Sequence, residues 1–181
     1  MEIHDHGFWI NPTMENHWFD LPVAVFLDQF FKNKTVIDLG CGSGAYTKHL
    51  LSKGVYCEGY DGNPDTPALT NGLCDVLDLS KDVQLDKQYD YVLSLEVGEH
   101  IPAIYERVFI NNIHKLNREG VVLSWAIQGQ GGDGHVNERS NDYIRGYFAA
   151  LGYHNDMEAE TVLRSIAETW WFKNTIMVFK K

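Results

Sequence analysis

Short apolar runs along the chain alternate with segments that carry helical features. The β-branched run at residues 35–39 stops at Gly40, and an apolar run of this length bounded by glycine is typical of a buried strand. Similar runs predict strands at residues 55–60, 74–77, 89–95, 121–126 and 175–179.

Helices are predicted between these strands, at residues 21–33, 45–52, 102–116 and 140–151. Pro102 suits a first helical turn, and Gly54 and Gly152 follow the ends of two of these segments. Residues 1–20 and the glycine-rich segment 129–134 are predicted to be irregular. The repeated alternation of strand and helix predicts an α/β domain with a parallel sheet covered by helices on both faces.

Composition and charge narrow the functional classes. The 181 residues are 44% hydrophobic and 22% charged, which is typical of one globular domain. The net charge of −10 argues against nucleic acid and against anionic membrane surfaces as partners.

The three cysteines are an odd number without C-x-x-C spacing, so we expect reduced thiols and no disulfide framework or zinc site. The N-terminus lacks the basic and apolar regions of a signal peptide, and no apolar run is long enough to span a bilayer. These features predict a cytoplasmic location.

The most informative motif is the glycine-rich turn after the first predicted strand. Gly40, Gly42 and Gly44 lie between that strand and a helix, where bare backbone and free N–H groups can approach a ligand. The spacing departs from the G-x-G-x-x-G dinucleotide fingerprint. Asp38 would repel a diphosphate but suits a cationic group. Asp61 ends the second strand, where a carboxylate can accept both hydroxyls of a ribose.

This glycine turn, with Asp38 before it and Asp61 after it, resembles that of class I S-adenosylmethionine-dependent methyltransferases. The resemblance extends from about residue 35 to residue 181. It implies a Rossmann-like, doubly wound, mostly parallel seven-stranded sheet with helices on both faces. It also implies S-adenosylmethionine as cofactor, with Gly40 and Gly42 close to it and Asp38 near its amino-acid end. Asp61 would hold the ribose.

The resemblance further implies that Asp75 and Val76 hold the adenine. In the family a bulky residue often follows the ribose-binding acid and packs on the adenine, whereas here that residue is Gly62. Asn63, or an aromatic residue of the N-terminal arm such as Trp9 or Trp18, is expected to fill the space.

Polar residues after the fourth predicted strand point to the acceptor side. Ligands of open α/β sheets bind beyond the carboxyl ends of the strands, so Glu96, Glu99 and His100 are placed near the transferred methyl group. Glu96 is therefore counted among the cofactor-binding residues, and Glu99, His100 and His135 among the catalytic ones. His100 is the candidate general base, because imidazole suits proton transfer near neutral pH. The alternative is a histidine that only bonds to backbone.

Glu96, Glu99, His100 and His135 also allow a second interpretation. Carboxylates and imidazoles can ligate a divalent cation. The E-x-x-E-H pattern is similar to that of metal-binding O-methyltransferases of the ubiquinone pathway and of small-RNA 2′-O-methyltransferases. Glu-His also occurs at this place in methyltransferases without a metal, so a divalent metal is an alternative that we do not favour.

The whole chain, residues 1–181, is expected to be a single methyltransferase domain. Residues 1–33 would form an N-terminal arm and helix that acts as a lid, and residues 34–181 the cofactor-binding core. The loop at residues 129–137 would be a flexible surface loop or a second part of the lid. His135 and Asn137 are its candidates to point inward, while Trp125 is assigned to the core.

The resulting functional hypothesis is methyl transfer from S-adenosylmethionine to an oxygen or nitrogen of a small molecule. The alternatives are a metal-assisted O-methyltransferase and a catalytically silent cofactor-binding module. A nicotinamide-dependent oxidoreductase is disfavoured by the glycine spacing and by Asp38.

Overall fold

A computed structural model describes residues 2–10 and 17–181. Its strands are β1 (Glu2–Ile3), β2 (Trp9–Ile10), β3 (Thr35–Leu39), β4 (Tyr56–Asp61), β5 (Cys74–Val76), β6 (Tyr89–Ser94), β7 (Asn117–Leu123), β8 (His154–Asn155) and β9 (Met177–Lys180). Its α-helices are α1 (Leu21–Phe30), α2 (Ala45–Ser52), α3 (Thr66–Leu69), α4 (Glu106–Leu116), α5 (Asn141–Ala150), α6 (Met157–Ile166) and α7 (Phe172–Thr175). Within residues 2–10 and 17–181, none of the helices has the length and apolar character to cross a membrane.

Seven strands form one sheet in the order β5-β4-β3-β6-β7-β9-β8. The pairs from β5 to β7 are parallel, whereas β9 runs antiparallel to both β7 and β8. The predicted α/β architecture with a mostly parallel sheet is therefore confirmed. The order brings the carboxyl ends of β3 and β6 side by side, which is where ligands bind in such sheets.

Successive side chains of each central strand enter opposite layers of the core. Ile37 and Val121 pack in one layer with α4 and α5, whereas Val36 and Val122 pack in the other layer with α1, α2 and α6. This two-sided burial explains why the strands are continuous apolar runs without a polar face.

Local capping fixes where several helices begin. The carboxylate of Asp20 accepts a hydrogen bond from the Val23 N–H at 3.1 Å, and the helix begins one residue after it. Ser140 caps α5 in the same way. Such caps satisfy backbone donors that have no partner inside the helix.

Three predicted boundaries need correction. The strand predicted at residues 121–126 is β7, which begins at Asn117 and ends at Leu123. Trp125 and Ala126 are fully buried beyond its end, so their apolar character reflects the core and not the strand. The closing strand starts at Met177, because Thr175 still belongs to α7. A 3₁₀ turn at Ala103–Tyr105 precedes α4.

Several elements of the structure were not predicted from the sequence. Residues 2–10 contain a short antiparallel hairpin, β1–β2, in a region predicted to be irregular. No element was predicted between Gly152 and residue 175, where the structure has β8, α6 and α7. Five of the ten residues of α6 are apolar, and Ala159, Val162, Leu163 and Ile166 follow helical spacing, so the sequence carried a signal for this helix.

Candidate active site

A cavity of about 380 Å³ opens at the carboxyl ends of β3, β4 and β6. Its walls come from the glycine turn, the ends of these strands, the N-terminal hairpin, the loop after β7 and the segment before β9. The structure brings together at this cavity most of the residues predicted from the sequence: Asp38, Gly40, Gly42, Asp61, Glu96, His100 and His135.

The glycine turn adopts backbone conformations that disfavour other residues. Gly40 has φ of 80° and Gly42 has φ of 54°. A Cβ at Gly42 would lie 2.5 Å from Nδ1 of His17, and one at Gly40 would lie 2.3 Å from Val97. Glycine is thus required both for the turn and for the close approach of its neighbours.

Asp61 ties the end of β4 to this turn. Its carboxylate accepts hydrogen bonds from the Gly42 N–H at 2.9 Å and from the Asn63 N–H at 3.0 Å. Each carboxylate oxygen has further acceptor capacity. Asp61 can therefore shape the turn and still accept hydrogen bonds from a ligand in the cavity.

Asp38 is the buried carboxylate of the site. The Thr47 hydroxyl donates a hydrogen bond to it at 2.7 Å. Burial raises the pKa of Asp38 to about 7, and the nearby charge of Asp61 acts in the same direction. A cationic group in the cavity would favour the ionised form.

The space above Gly62 is occupied by the N-terminal hairpin. A Cβ at Gly62 would lie 2.6 Å from the ring of Phe8, which stacks on His4 with ring centroids 4.3 Å apart. An aromatic residue of the N-terminal arm therefore fills the space beside Gly62, as expected. That residue is Phe8, whereas Trp9 and Trp18 were the named candidates. A side chain at position 62 would displace the hairpin.

The two residues predicted to hold the adenine do not line this cavity. Asp75 and Val76 are exposed, and neither lines the cavity. Asp78 and Leu79 line it instead. The sequence offers two Asp–aliphatic pairs in this segment. Only the position at which β5 ends decides which pair turns inward.

Asp78 is held by several partners. His6 of the hairpin lies 2.7 Å from its carboxylate, and Ser80 donates a hydrogen bond to it. Burial acts to raise the pKa of Asp78, but the hydrogen bonds from Ser80, Lys81 and His6 outweigh it and lower the pKa to about 2. The ionised carboxylate thereby fastens the hairpin to the rim of the cavity.

Glu99 lies behind the cavity wall and is fully buried. Neither of its carboxylate oxygens has a hydrogen-bond partner among the described residues. Burial and the neighbouring Glu96 raise its pKa well above the usual range. Ligand atoms of Glu99, His100 and His135 lie within 4.8 Å of one another. A buried carboxylate without a partner needs a proton or a cation.

His100 is mostly buried beside this carboxylate. Its Nδ1 lies 3.3 Å from the Gly134 carbonyl oxygen, and its ring contacts Trp9 and His135 edge-on. Burial lowers the pKa of His100 to about 4, and His135 contributes to the same shift. The imidazole is therefore uncharged at neutral pH, and Nε2 is free when Nδ1 donates to Gly134.

Glu96 joins three segments at the end of β6. It has φ of 53°, which is unusual for a residue with a side chain. Its carboxylate accepts hydrogen bonds from Gln130 at 2.9 Å and from the Thr175 hydroxyl at 3.3 Å. Such backbone strain is common at functional sites.

The loop at residues 129–137 is held by side chains at both of its ends. Glu138 accepts hydrogen bonds from the Gly129 and Gly131 N–H groups. The indole N–H of Trp125 donates to the Asn137 carbonyl at 2.7 Å. This buried bond agrees with the assignment of Trp125 to the core. Asn137 is buried as expected, but its amide donates to Glu106 and not toward the cavity.

Several cavity residues were not singled out from the sequence. Trp170, Trp171 and Phe172 line the cavity from the segment before β9. The run of three aromatic residues was a signal in the sequence. Its relation to the glycine turn depends on the antiparallel pairing of β9 with β7, which places this segment at the same edge of the sheet.

Known proteins resemble this chain in sequence. A family model described as a methyltransferase domain matches residues 13–158. A curated protein of Oryza sativa subsp. japonica, "Probable tocopherol O-methyltransferase, chloroplastic", is 30% identical over 109 residues. The match covers 52% of this chain and 30% of that protein, so the chain spans less than a third of the relative's length.

Solved structures resemble it in fold. The magnesium protoporphyrin IX methyltransferase from Synechocystis PCC 6803 with bound S-adenosylmethionine has a TM-score of 0.64 at 20% identity, and the match covers 88% of this chain and 76% of that one. An amino pentose methyltransferase from Micromonospora echinaspora, also bound to S-adenosylmethionine, has a TM-score of 0.64 at 15% identity, with 87% and 89% covered. At these identities the likeness establishes the fold.

Proposed function

Because the chain belongs to the S-adenosylmethionine-dependent methyltransferase family, we propose that it transfers the methyl group of this cofactor to an oxygen or nitrogen of a small-molecule acceptor. Membership of the family is confirmed, and the solved structures of similar fold hold S-adenosylmethionine. The roles of single residues and the class of acceptor are our proposal. The observation that carries it is one cavity that joins the glycine turn and Asp61 to the polar residues after β6.

In the proposed site the chain's own residues hold and align the reactants. When bound, S-adenosylmethionine supplies a methyl group on a sulfonium, whose bonding electron pair stays with sulfur as the methyl group leaves. Gly40 and Gly42 allow close approach of the backbone, Asp61 accepts from ribose hydroxyls, and Asp38 faces the amino group. Alignment of two reactants can lower the barrier of such a reaction by as much as roughly 7–11 kcal/mol.

His100 is the proposed general base. An O–H or N–H acceptor loses its proton as the new bond to carbon forms, and we assign Nε2 of the uncharged His100 to take that proton. The Gly134 carbonyl supports the proposal because it fixes the tautomer that leaves Nε2 free. Glu99 and His135 are proposed to position His100 from either side.

A metal-assisted reaction is the second candidate, favoured by the unpartnered carboxylate of Glu99. Carboxylate and imidazole together suit a divalent cation such as Mn²⁺, Fe²⁺ or Zn²⁺. Glu99, His100 and His135 would hold it, with Glu96 as a further ligand. A cation there would supply positive charge to polarise an acceptor oxygen.

Thermal unfolding with S-adenosylhomocysteine tests the main proposal. A ligand at ~100 times its dissociation constant stabilises the folded state by roughly 2.7 kcal/mol, so the midpoint should rise. NAD serves as the control and should leave the midpoint unchanged. An unchanged midpoint with S-adenosylhomocysteine would contradict the proposal.

The metal alternative is tested on protein treated with EDTA. Mn²⁺ should then raise the unfolding midpoint of the wild type but not that of Glu99→Gln, whose response to S-adenosylhomocysteine should persist. The exposed Asp142→Asn is the matched control and should respond like the wild type. Equal responses of the wild type and Glu99→Gln to Mn²⁺ would exclude this site.

A further inference from the structure

The strand order divides the cavity into two halves. The ends of β5, β4 and β3 carry Asp78, Asp61 and Gly40, which form the half proposed for the cofactor. The other half lies at the ends of β6 and β7. The segment before β9 belongs to this half, because Met177 pairs with Leu123 at the end of β7.

Tryptophan side chains form the outer wall of the second half. The ring of Trp171 contacts Trp18 at 5.7 Å and Trp170 at 5.6 Å between centroids, both edge-on. Trp18 is 68% exposed and Trp170 is 56% exposed, although both line the cavity. Exposed aromatic groups at a cavity mouth mark a surface that binds apolar or flat partners.

Carboxylates line the cavity, whereas lysine and arginine do not in the part of the chain that the structure describes. Asp38, Asp61 and Asp78 are the carboxylates of the half proposed for the cofactor, and Glu96 and Asp133 are those of the other half. No lysine or arginine lines the cavity among the described residues, and the sequence of residues 1 and 11–16 contains neither. An anionic group placed there would lose its hydration without gaining a lysine or arginine partner. A cation would instead meet carboxylates and indole faces.

We propose that the acceptor is a flat aromatic molecule of neutral or positive charge, held against Trp18, Trp170 and Trp171, and that acceptors bearing a carboxylate or phosphate are excluded. This inference rests on the proposed function, since it names the acceptor class of the same site. It gives the tryptophan wall a role in specificity and does not depend on which residue is the base.

Three indoles that differ mainly in charge test the inference: tryptamine, tryptophol and indole-3-acetate. Their dissociation constants are measured by ligand-observed NMR titration, with and without saturating S-adenosylhomocysteine. Tryptamine and tryptophol should bind at least about tenfold more tightly than indole-3-acetate. Equal or tighter binding of indole-3-acetate would overturn the inference, as would the failure of all three to bind.

Variants at the cavity mouth locate the binding. Trp170→Ala and Trp18→Ala change exposed side chains and should weaken tryptamine binding severalfold, whereas Tyr56→Ala, an exposed aromatic away from the cavity, should not. Asp133→Lys should strengthen indole-3-acetate binding and weaken tryptamine binding. Unchanged affinities in both tryptophan variants would overturn the inference.

The two proposals fail in different ways. The loss of any S-adenosylhomocysteine effect on thermal unfolding contradicts the proposed function. The relative affinities of the free protein for the three indoles still test which ligand charge and shape this half of the cavity prefers.

Discussion

Three aspartates that occupy similar places on predicted strands have very different surroundings in the structure. Asp38 is buried with one hydroxyl donor, Asp61 accepts from two backbone N–H groups, and Asp75 is exposed. A buried carboxylate favours its protonated form, whereas a solvated one does not. These differences lead to separate predictions for each residue.

Asp38→Asn should stabilise the free protein but lower its affinity for the cofactor. The raised pKa of Asp38 means that the folded state binds more protons than the unfolded state between the ordinary value of 3.8 and about 7. Wild-type stability therefore falls as the pH rises across this interval. The variant lacks this loss, so its unfolding midpoint should exceed that of the wild type most clearly above about pH 7.

The affinity for S-adenosylhomocysteine gives the functional side of the same prediction. The ionised carboxylate attracts the amino group of the ligand, so wild-type affinity should rise with pH through about 7. Calorimetric titration at several pH values should show a much flatter profile for Asp38→Asn. Parallel profiles for the two proteins would contradict the assignment.

Asp61→Ala and Asp75→Ala separate the two predicted acidic contacts. Removing Asp61 deletes the acceptor that holds the Gly42 N–H and faces the cavity, so cofactor affinity should fall by about tenfold or more. Asp75 does not line the cavity, so its variant should bind within about twofold of the wild type. Calorimetry measures both. A strong loss of cofactor affinity in Asp75→Ala would instead support Asp75 as the adenine contact that the family resemblance implies.

At the scale of elements, Glu58 joins strands that are not neighbours. It lies on β4 and accepts hydrogen bonds from Tyr89 at the start of β6 and from Lys87 just before it, across the intervening β3. Burial acts to raise the pKa of Glu58, but hydrogen bonds from Lys87, Tyr56 and Tyr89 lower it to about 2. The ionised form therefore stabilises this end of the sheet.

Glu58→Gln should lower the unfolding midpoint near neutral pH. A carboxylate with a depressed pKa contributes stability that is complete above the ordinary value of 4.5 and is lost as the pH falls through about 2. The difference between wild type and variant should therefore shrink below about pH 4.5. Thermal scans at several pH values test this, with the exposed Asp86→Asn as control. A difference that stays constant down to pH 2 would contradict the prediction.

At the scale of the molecule, the N-terminal hairpin lies at the cavity and contacts the loops after β6 and β7. A Cβ at Gly7 would lie 2.1 Å from the His100 carbonyl oxygen, and one at Gly134 would lie 2.6 Å from Ile3. His6 contacts Asp78 on the opposite rim. The hairpin thus touches both halves of the cavity, which is the arrangement that a lid requires.

Hydrogen exchange tests whether the hairpin acts as part of the lid that was predicted at residues 1–33. S-adenosylhomocysteine should slow exchange in residues 2–10 and 129–137, because a ligand beneath them adds contacts and disfavours local opening. Helix α4 serves as the internal control and should be unaffected. Unchanged exchange in both segments, with the ligand bound, would rule out a lid.

The strands and the glycine turn could be predicted because local patterns specify them. The run at residues 35–39 matches β3, and the helix predicted at residues 45–52 matches α2. A buried parallel strand must be apolar on both faces, and a tight turn onto a helix requires glycine at defined places. Both requirements can be read without knowing the neighbouring strands.

The composition of the site outside these motifs depended on contacts between distant segments. Asp78 lines the cavity and Asp75 does not, Phe8 covers Gly62, and Trp170 lines the cavity from the segment before β9. None of these follows from local spacing, because each depends on where a strand ends or on which segment packs across it. The same holds for Glu99, whose burial without a partner arises from the packing around β6.

The sequence by itself determined the α/β class, since backbone sterics and burial restrict the residues of the strands and the glycine turn directly. Its resemblance to a known family indicated the family and the cofactor. Only the tertiary structure decided which carboxylates are buried, which segments form the cavity wall and how charge is distributed around it. Desolvation and Coulomb interactions act through space, so residues far apart in the chain set each other's pKa and binding role.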